Sequence, residues 1–150
     1  MNNRTETPSA PEEETVPTAS ISTIPIATVA DIVTARQQGR DMALHLGFSE
    51  TESTLIATII SELARNIVLY AQTGQIVLER AHQDNLRGII IISRDNGPGI
   101  PDVQRALVGG YSTSGGLGLG LCGVRRMVDD FHIDTESGKG TIVTAKKWLR

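Results

Sequence analysis

The sequence contains almost no cysteine and has no overall excess of basic residues. Cys122 is the only cysteine among 150 residues, which excludes an internal disulfide and a cysteine-rich metal site and fits a reducing cytosol. The formal net charge is -3, with acidic and basic residues mixed along the chain. Nothing in the composition therefore calls for a nucleic-acid partner.

Long hydrophobic runs are also missing. The longest, Gly88 to Ile92, is far too short to cross a bilayer, and the N-terminus is acidic and polar instead of a basic start followed by an apolar stretch. We therefore expect a soluble, unexported, cytoplasmic protein with no membrane partner. A pattern of Gly, four residues, Gly, Lys and Ser or Thr occurs nowhere in the sequence, so a P-loop nucleotide site is excluded.

The chain divides into a tail and a domain. Met1 to about Ser20 consists mainly of Glu, Pro, Thr, Ser and Asn, and such a segment cannot bury enough apolar surface to offset the entropy of ordering. We predict that residues 1–20 are a disordered tail. Residues 21–150 are predicted to form one domain, because a chain of this length supports a single core.

The apolar pattern of the domain predicts strands grouped in hairpins with helices between them. The predicted strands cover residues 21–27, 75–81, 86–94, 131–136 and 141–148, and the predicted helices cover residues 28–46, 52–70, 102–108 and 117–130. Pro25 lacks a backbone donor, so the first strand should lie at a sheet edge. This order predicts an α+β fold, a two-layer sandwich whose antiparallel or mixed sheet carries the helices on one face.

The stretch from Tyr111 to Val124, YSTSGGLGLGLCGV, places bare backbone before a predicted helix. Gly118, Gly120 and Gly123 match the spacing of a dinucleotide fingerprint, but no strand precedes them and too few residues follow for that fold. A flexible loop would not explain glycines that alternate with leucines where the helix begins, because glycine inside a first turn costs about 1 kcal/mol relative to alanine. Unpaired N–H groups at a helix N-terminus favour anions, so we expect a phosphate there.

Two further segments offer polar groups. In SRDNGPGIP, Asp95 follows an apolar strand and precedes Gly97 and Gly99. This is turn chemistry, but a carboxylate beside bare backbone can also accept from the exocyclic amine of a flat base. In SELARNI, Glu62 and Asn66 stand four residues apart and share one helix stripe. One interpretation is that both side chains are solvated. The other is that Glu62 supplies a base and Asn66 an oxygen ligand for magnesium, which is reasonable because magnesium takes few protein ligands.

The segments ELARN, DNGPGIP and GGLGLGL, in this order and spacing, resemble three conserved boxes of the GHKL ATPase superfamily. That superfamily includes histidine kinases, a heat-shock chaperone, gyrase and mismatch-repair proteins, and the resemblance covers about residues 21–150. The segments ARQQGRDMALHLGF, SELARNIVLYA, GYSTSGGLGLGL and KKWLR narrow the resemblance further. They look like the serine/threonine switch kinases of the bacterial stressosome, which are relatives of the anti-sigma factor kinases.

The resemblance implies that the domain binds ATP and Mg2+. Asp95 would read the adenine amino group, with Gly97 and Gly99 giving access to the base and Thr141 supporting it through water. Asn66 would be the magnesium ligand, and Glu62 would be the catalytic base that takes the proton of a serine or threonine hydroxyl. The resemblance also implies a triphosphate cradle at Gly116, Gly118 and Gly120. It implies a lid over ATP at residues 109–116, which contain Ser112, Thr113 and Ser114.

The implied function is that of a serine/threonine protein kinase in a stress-signalling module. Such a kinase would phosphorylate STAS-domain scaffold or antagonist proteins and then activate a downstream phosphatase or other output protein. The alternative is a non-catalytic, ATP-gated anti-sigma or partner-sequestering factor. Glu62 separates the two functions, since a gate needs Asp95 and the glycines but no base.

Overall fold

The computed structural model describes residues 21–103, 107 and 120–150. The strands are β1 (Ile21–Ile26), β2 (Gly74–Gln83), β3 (Leu86–Asp95), β4 (Asp130–Glu136) and β5 (Gly140–Trp148). They form one sheet in the order β1-β2-β3-β5-β4, and every neighbouring pair is antiparallel. The predicted hairpins are confirmed, β1 lies at a sheet edge as Pro25 indicated, and β3 is the central strand.

The helices whose bounds the structure gives are α1 (Val29–Leu46), α2 (Glu50–Asn66) and α3 (Leu121–Met127). α1 begins at a capping box, in which the Thr28 hydroxyl accepts from the N–H of Asp31 and the Asp31 carboxylate accepts from the N–H of Thr28. Gly47 ends the helix in the left-handed region, at φ 109°, a conformation that suits glycine. The Ser49 hydroxyl caps α2.

α2 is the central helix of the core. Its apolar stripe is buried as predicted and packs with the inward side chains of β2 and β3. Full burial of each such side chain contributes about 1.5–3 kcal/mol. The stripe consists of Ile56, Ile59, Ile60 and Leu63, continued by Ile67. The segment Glu50–Ala71 is also, by length and composition alone, long and apolar enough to cross a membrane, but its apolar stripe is already covered by the sheet.

α3 is shorter than the predicted helix 117–130. Gly120 is extended, at φ -96° and ψ -154°, and precedes the helix as its cap. The other end lies at Met127 because Val128 is extended and the N–H of Asp129 donates to the carbonyl oxygen of Lys146 at 2.9 Å. This hydrogen bond draws the chain into the sheet three residues earlier than the apolar pattern indicated.

Two predicted segments lie wholly or mostly outside the described residues. The tail, residues 1–20, lies outside them altogether, and of the short helix 102–108 only Asp102, Val103 and Leu107 are described, with Val103 and Leu107 helical. Within the described part, the predicted α+β sandwich is confirmed. The helices pack on the sheet face that carries Ile89 and Ile91, while the alternate residues of β3 are half-buried on the other face.

Candidate nucleotide-binding site

Asp95 ends the central strand at the sheet edge where the polar site residues gather. It is half-buried, with Gly74 of β2 opposite on one side and Thr141 of β5 on the other. Its Oδ1 accepts a hydrogen bond from the N–H of Gly97 at 2.9 Å, so the turn after the strand uses one carboxylate oxygen. Oδ2 has no hydrogen-bond partner within the described residues and can accept from a ligand.

The glycines of this turn are required by the packing of the protein itself. A Cβ on Gly97 would lie 2.7 Å from the Cβ of Ala71, and one on Gly99 would lie 2.7 Å from a backbone carbonyl oxygen of β4. Gly99 and Gly140 also adopt φ values of +85° and +122°, which glycine tolerates best. A Cβ on Gly140 would overlap the carbonyl oxygen of Asp95. The turn therefore needs these glycines with or without a nucleotide.

Thr135 of β4 connects the turn with Thr141, a role that we did not predict from the sequence. Its Oγ1 accepts from the N–H of Ile100 at 2.9 Å, donates to the carbonyl oxygen of Gly140 at 3.1 Å and lies 2.9 Å from the Oγ1 of Thr141. In this arrangement Thr141 donates to Thr135 and keeps lone pairs for a bridging water. The sequence feature that could have indicated this role is a threonine placed opposite Thr141 in the hairpin of β4 and β5.

Glu62 and Asn66 lie on one stripe near the C-terminal end of α2. Glu62 is only 9% exposed, which is unusual for a carboxylate, and its Oε2 accepts from the Nη1 of Arg65 at 2.8 Å. Asn66 is half-buried at the last position of the helix, and its side chain makes no hydrogen bond to another described residue. Glu62 is thus not the solvated surface residue of the alternative interpretation.

A π-helical turn, Ile67–Ala71, continues α2 and brings its end to the Asp95 turn. The N–H of Gln72 donates to the carbonyl oxygen of Ile67 at 2.7 Å, and Gln72 ends the turn at φ 74°. A Cβ on Gly74 would lie 2.9 Å from the Cγ2 of Ile67 and 3.1 Å from the Cβ of Asp95. The end of α2 and Asp95 therefore meet at the same edge of the sheet, and π-helical turns occur frequently at such functional sites.

Most of the predicted triphosphate cradle and lid lies outside the described residues, namely Ser112, Thr113, Ser114, Gly116 and Gly118. Gly120 is described and exposed, and no heavy atom of the described protein lies within 4 Å of the position that a Cβ would take. The expectation that Gly120 lies inside the first helical turn is wrong, because its extended backbone caps α3 instead. Neither its φ nor its packing against the described residues requires glycine at this position.

Protein ligands for a metal ion are few at this edge. Within residues 21–103, 107 and 120–150, no group of three or more His, Cys, Asp or Glu residues could hold a metal ion. Mg2+ differs from most metals because it is often bound through one or two protein oxygens together with substrate phosphates and water. The amide oxygen of Asn66, which has no partner in the described protein, fits a magnesium ion held mainly by a nucleotide.

Residues 51–150 match the family described as histidine kinase-, DNA gyrase B-, and HSP90-like ATPase. The chain belongs to this ATPase family. The match spans Glu62, Asn66, Asp95 and Thr141, and it confirms the superfamily and the α+β sandwich that the sequence motifs predicted. Use of ATP by the domain is confirmed with it.

Relatives of this ATPase family narrow the enzyme class. The chain is 50% identical over 129 residues to the serine/threonine-protein kinase RsbT of Bacillus subtilis (strain 168), which covers 86% of this chain and 97% of the relative. It is 29% identical over 100 residues to the anti-sigma F factor of Caldanaerobacter subterraneus subsp. tengcongensis, covering 63% of this chain and 68% of the relative. The predicted class, a serine/threonine-protein kinase with anti-sigma factor relatives, is thereby confirmed.

A solved structure, the catalytic domain of the histidine kinase ThkA, is also similar to this chain. It shares 14% sequence identity at a TM-score of 0.48, over 84% of this chain and 95% of its own.

Proposed function

We propose that this chain transfers the γ-phosphoryl group of Mg2+-ATP to serine or threonine residues of STAS-domain partner proteins in a stress-signalling switch. The observation that carries the proposal is the buried carboxylate of Glu62, one helical turn before Asn66 on the helix whose end packs against the Asp95 turn. A protein that only binds ATP has no need of a buried carboxylate here, since burying a charge is costly.

Asp95 and Thr141 form the base-binding side of the proposed site. Oδ2 of Asp95 accepts from the exocyclic amino group of adenine, while Oδ1 stays bonded to the N–H of Gly97. The ionised acceptor makes this hydrogen bond stronger than one between neutral groups. Gly97 and Gly99 leave no side chain between the turn and the base, and Thr141 supports the base through a bridging water.

Asn66 and the glycine-rich stretch form the phosphate-binding side. Mg2+, when bound, neutralises charge on the phosphates, and the amide oxygen of Asn66 is its protein ligand. We assign Gly116, Gly118 and Gly120 to the cradle of the triphosphate and residues 109–116 to the lid over it. Among the described residues, no heavy atom lies within 4 Å of the position of a Cβ on Gly120, which supports a close approach of phosphate to the backbone.

Glu62 is the general base of the proposed reaction. The oxygen of the acceptor hydroxyl forms a bond to the γ-phosphorus, the bond from that phosphorus to the bridging oxygen breaks with release of ADP, and the hydroxyl proton passes to the Glu62 carboxylate. A positioned base contributes typically about a hundredfold to ten-thousandfold in rate. The remaining acceleration comes mainly from positioning and from neutralisation of charge.

Regulatory partners are supported by the relatives, one of which is a serine/threonine-protein kinase and another an anti-sigma F factor. We propose that STAS-domain scaffold or antagonist proteins are the substrates. Phosphorylation then frees the kinase to activate a downstream phosphatase or other output protein. We place this switch in the cytoplasm, where the free thiol of Cys122 stays reduced.

A second candidate function is a non-catalytic, ATP-gated factor that sequesters a partner. The identity of 29% with an anti-sigma F factor supports it, because the name of that relative describes a protein that opposes a sigma factor. A gate needs Asp95 and the glycines to sense ATP, but it needs no proton acceptor beside the phosphates. The two functions therefore predict different effects of removing the Glu62 carboxylate. A kinase should lose phosphoryl transfer, whereas a gate should still sense ATP.

The test compares Glu62→Gln with Asn66→Ala. We expect Glu62→Gln to fold and to bind Mg2+-ATP like the wild type, and to transfer phosphate about a hundredfold to ten-thousandfold more slowly because the proton acceptor is gone. Asn66→Ala should lose the magnesium-dependent part of ATP affinity as well as transfer. Calorimetry with and without Mg2+ measures binding, and mass spectrometry of a purified STAS-domain protein measures transfer from γ-labelled ATP.

Glu50→Gln is the matched control, because it removes an exposed carboxylate from the first turn of the same helix. It should leave both binding and transfer unchanged. If wild type and Glu62→Gln label the acceptor equally, Glu62 is not the base. If neither labels it while ATP still controls binding of the partner, the gate replaces the kinase.

A further inference from the structure

Glu62 is paired with Arg65, a basic residue of the ELARN segment to which the sequence analysis assigns no role. The Nη1 of Arg65 lies 2.8 Å from Oε2 of Glu62, three residues earlier on α2. Only 11% of the Glu62 side chain is exposed, and a buried carboxylate without a partner is strongly destabilising. In the described part of the chain, Arg65 is the one residue that forms an ion pair with Glu62.

Arg65 also reaches the protein surface. Its side chain is 34% exposed and lines a groove of about 500 Å3 between α1 and α2, together with apolar residues and Arg36. Arg65 therefore contacts the buried carboxylate from the outer side of the helix layer. Since its guanidinium has five N–H donors, it can hold Oε2 of Glu62 while other donors face the groove.

We propose that Arg65 is a positioning residue for phosphoryl transfer, which holds the Glu62 carboxylate through Oε2 so that Oε1 faces the acceptor hydroxyl. This inference rests on the proposed function, in which Glu62 is the base. A free glutamate side chain has several rotatable bonds, and fixing it in advance removes an entropic cost from the reaction. The pair is made within one helix, so the carboxylate is already in place before the acceptor arrives.

The first experiment measures steady-state phosphorylation of a purified STAS-domain protein by wild type, Arg65→Gln and Arg65→Lys. We expect Arg65→Gln to lower kcat about tenfold to a hundredfold, the size of effect that misplacing a reacting group produces. The KM values for ATP and for the acceptor should stay within about twofold, because Arg65 contacts neither in this arrangement. Arg65→Lys keeps the charge without the planar fork, and it should recover part of the lost kcat.

Arg36→Gln is the matched control. It removes the same charge from the same groove, and Arg36 forms no ion pair with another described residue. We expect its kcat to equal that of the wild type. An acceptor KM that rises in Arg65→Gln with kcat unchanged would mean that Arg65 binds the acceptor directly, which would overturn the positioning role.

A double-mutant cycle tests whether Arg65 acts through Glu62. In a Glu62→Gln background, Arg65→Gln should cause no further loss of kcat, because no carboxylate remains to be positioned. A second double-mutant cycle on the same variants measures the urea midpoint of unfolding, which does not depend on activity. Arg65→Gln alone should lower the midpoint, and the double variant should regain part of that loss because it removes both members of the pair.

The outcomes separate this inference from the proposed function. A slow Glu62→Gln enzyme beside an Arg65→Gln enzyme with the wild-type kcat would overturn the role of Arg65 alone. An equal loss of kcat from Arg65→Gln in both backgrounds would do the same, since Arg65 would then act elsewhere. A Glu62→Gln enzyme as fast as the wild type would refute the proposed base, and the role of Arg65 with it, even where the urea midpoints are coupled.

Discussion

In the proposed site, Asp95 has two hydrogen-bonding tasks at the end of β3. Oδ1 fixes the turn through the N–H of Gly97, and Oδ2 remains for the ligand. The first bond therefore also sets the orientation of the second oxygen. Thr141 stands directly opposite on β5, and Thr135 holds it through a contact of 2.9 Å between the hydroxyl oxygens. The chemistry that we propose for the base-binding side thus depends on a turn and on a strand register together.

This orientation gives a sharp prediction for Asp95→Asn. The amide oxygen should retain the bond to the N–H of Gly97, so the amide nitrogen takes the place of Oδ2 and points a donor at the adenine amino group. We expect ATP affinity to fall about tenfold or more, since a hydrogen bond to a charged group contributes about 1.5–3 kcal/mol. Calorimetry measures the affinity, and the melting temperature should change little because the turn bond survives.

Asp134→Asn is the control for that measurement. Asp134 is an exposed carboxylate on β4 and has no role in the proposed site. The Asp134→Asn substitution should leave ATP affinity unchanged. Unaltered affinity in Asp95→Asn, or a loss of affinity in Asp134→Asn, would contradict the assignment of the base-binding side.

At the scale of the elements, the start of α1 depends on Thr28 and Asp31. The carboxylate of Asp31 accepts from the N–H of Ala27 at 2.8 Å and from that of Thr28 at 3.0 Å. These two backbone bonds, with that of Ala27 the larger cause, hold the pKa of Asp31 below its ordinary value. The folded state therefore favours the ionised form, and its contribution to stability is present above the ordinary pKa of aspartate, about 3.9.

The lowered pKa of Asp31 predicts how the stability of the protein depends on pH. As the pH falls through the lowered pKa of Asp31, the carboxylate becomes protonated and its stabilising contribution is lost. Asp31→Asn should flatten the fall in melting temperature between about pH 5 and pH 2. Thr28→Ala should lower the free energy of unfolding by about 1 kcal/mol, the usual effect of losing an N-cap, at every pH. An acid limb as steep in Asp31→Asn as in the wild type would contradict this role.

Local signals in the sequence sufficed for α1 but not for the ends of the later helices. Thr28 and Gly47 mark the bounds of α1 through a cap and a left-handed residue, and both effects act within a few residues. The π-helical turn after α2 packs its Ala71 against Gly97, and the end of α3 depends on the bond from Asp129 to Lys146. Contacts of this kind join distant parts of the chain, so apolar spacing could not predict them.

The candidate site shows the same difference between local sequence signals and contacts that only the fold determines. Glu62, Asn66 and Asp95 stand as predicted site residues because short motifs carry them, and the structure brings the end of α2 and Asp95 to one edge of the sheet. Arg65 and Thr135 were missed, because the importance of each depends on a partner whose burial or register only the fold determines. An arginine three residues after a glutamate is ordinary on a solvated helix, and it acquires a specific role only when the glutamate is buried.

For the whole molecule, we propose that the N-terminal boundary of the domain lies at β1. This edge strand pairs with β2 along its full length and places Ile24 and Ile26 in the core. Residues before it lie outside the described part of the chain, and their composition predicts a tail that contributes nothing to the core. The domain proposed for residues 21–150 should therefore fold and bind ATP without residues 1–20.

Two deletions test this boundary. Removing residues 1–20 should leave the melting temperature and the affinity for ATP nearly unchanged, since no apolar surface of the core loses its cover. Removing residues 1–26 also takes away β1, and with it Ile24 and Ile26, each of which contributes about 1.5–3 kcal/mol by burial, together with the hydrogen bonds to β2. That second deletion should unfold the domain or lower its melting temperature strongly. Circular dichroism and calorimetry measure both variants, and a large loss of stability in the shorter deletion would place an ordered element before Ile21.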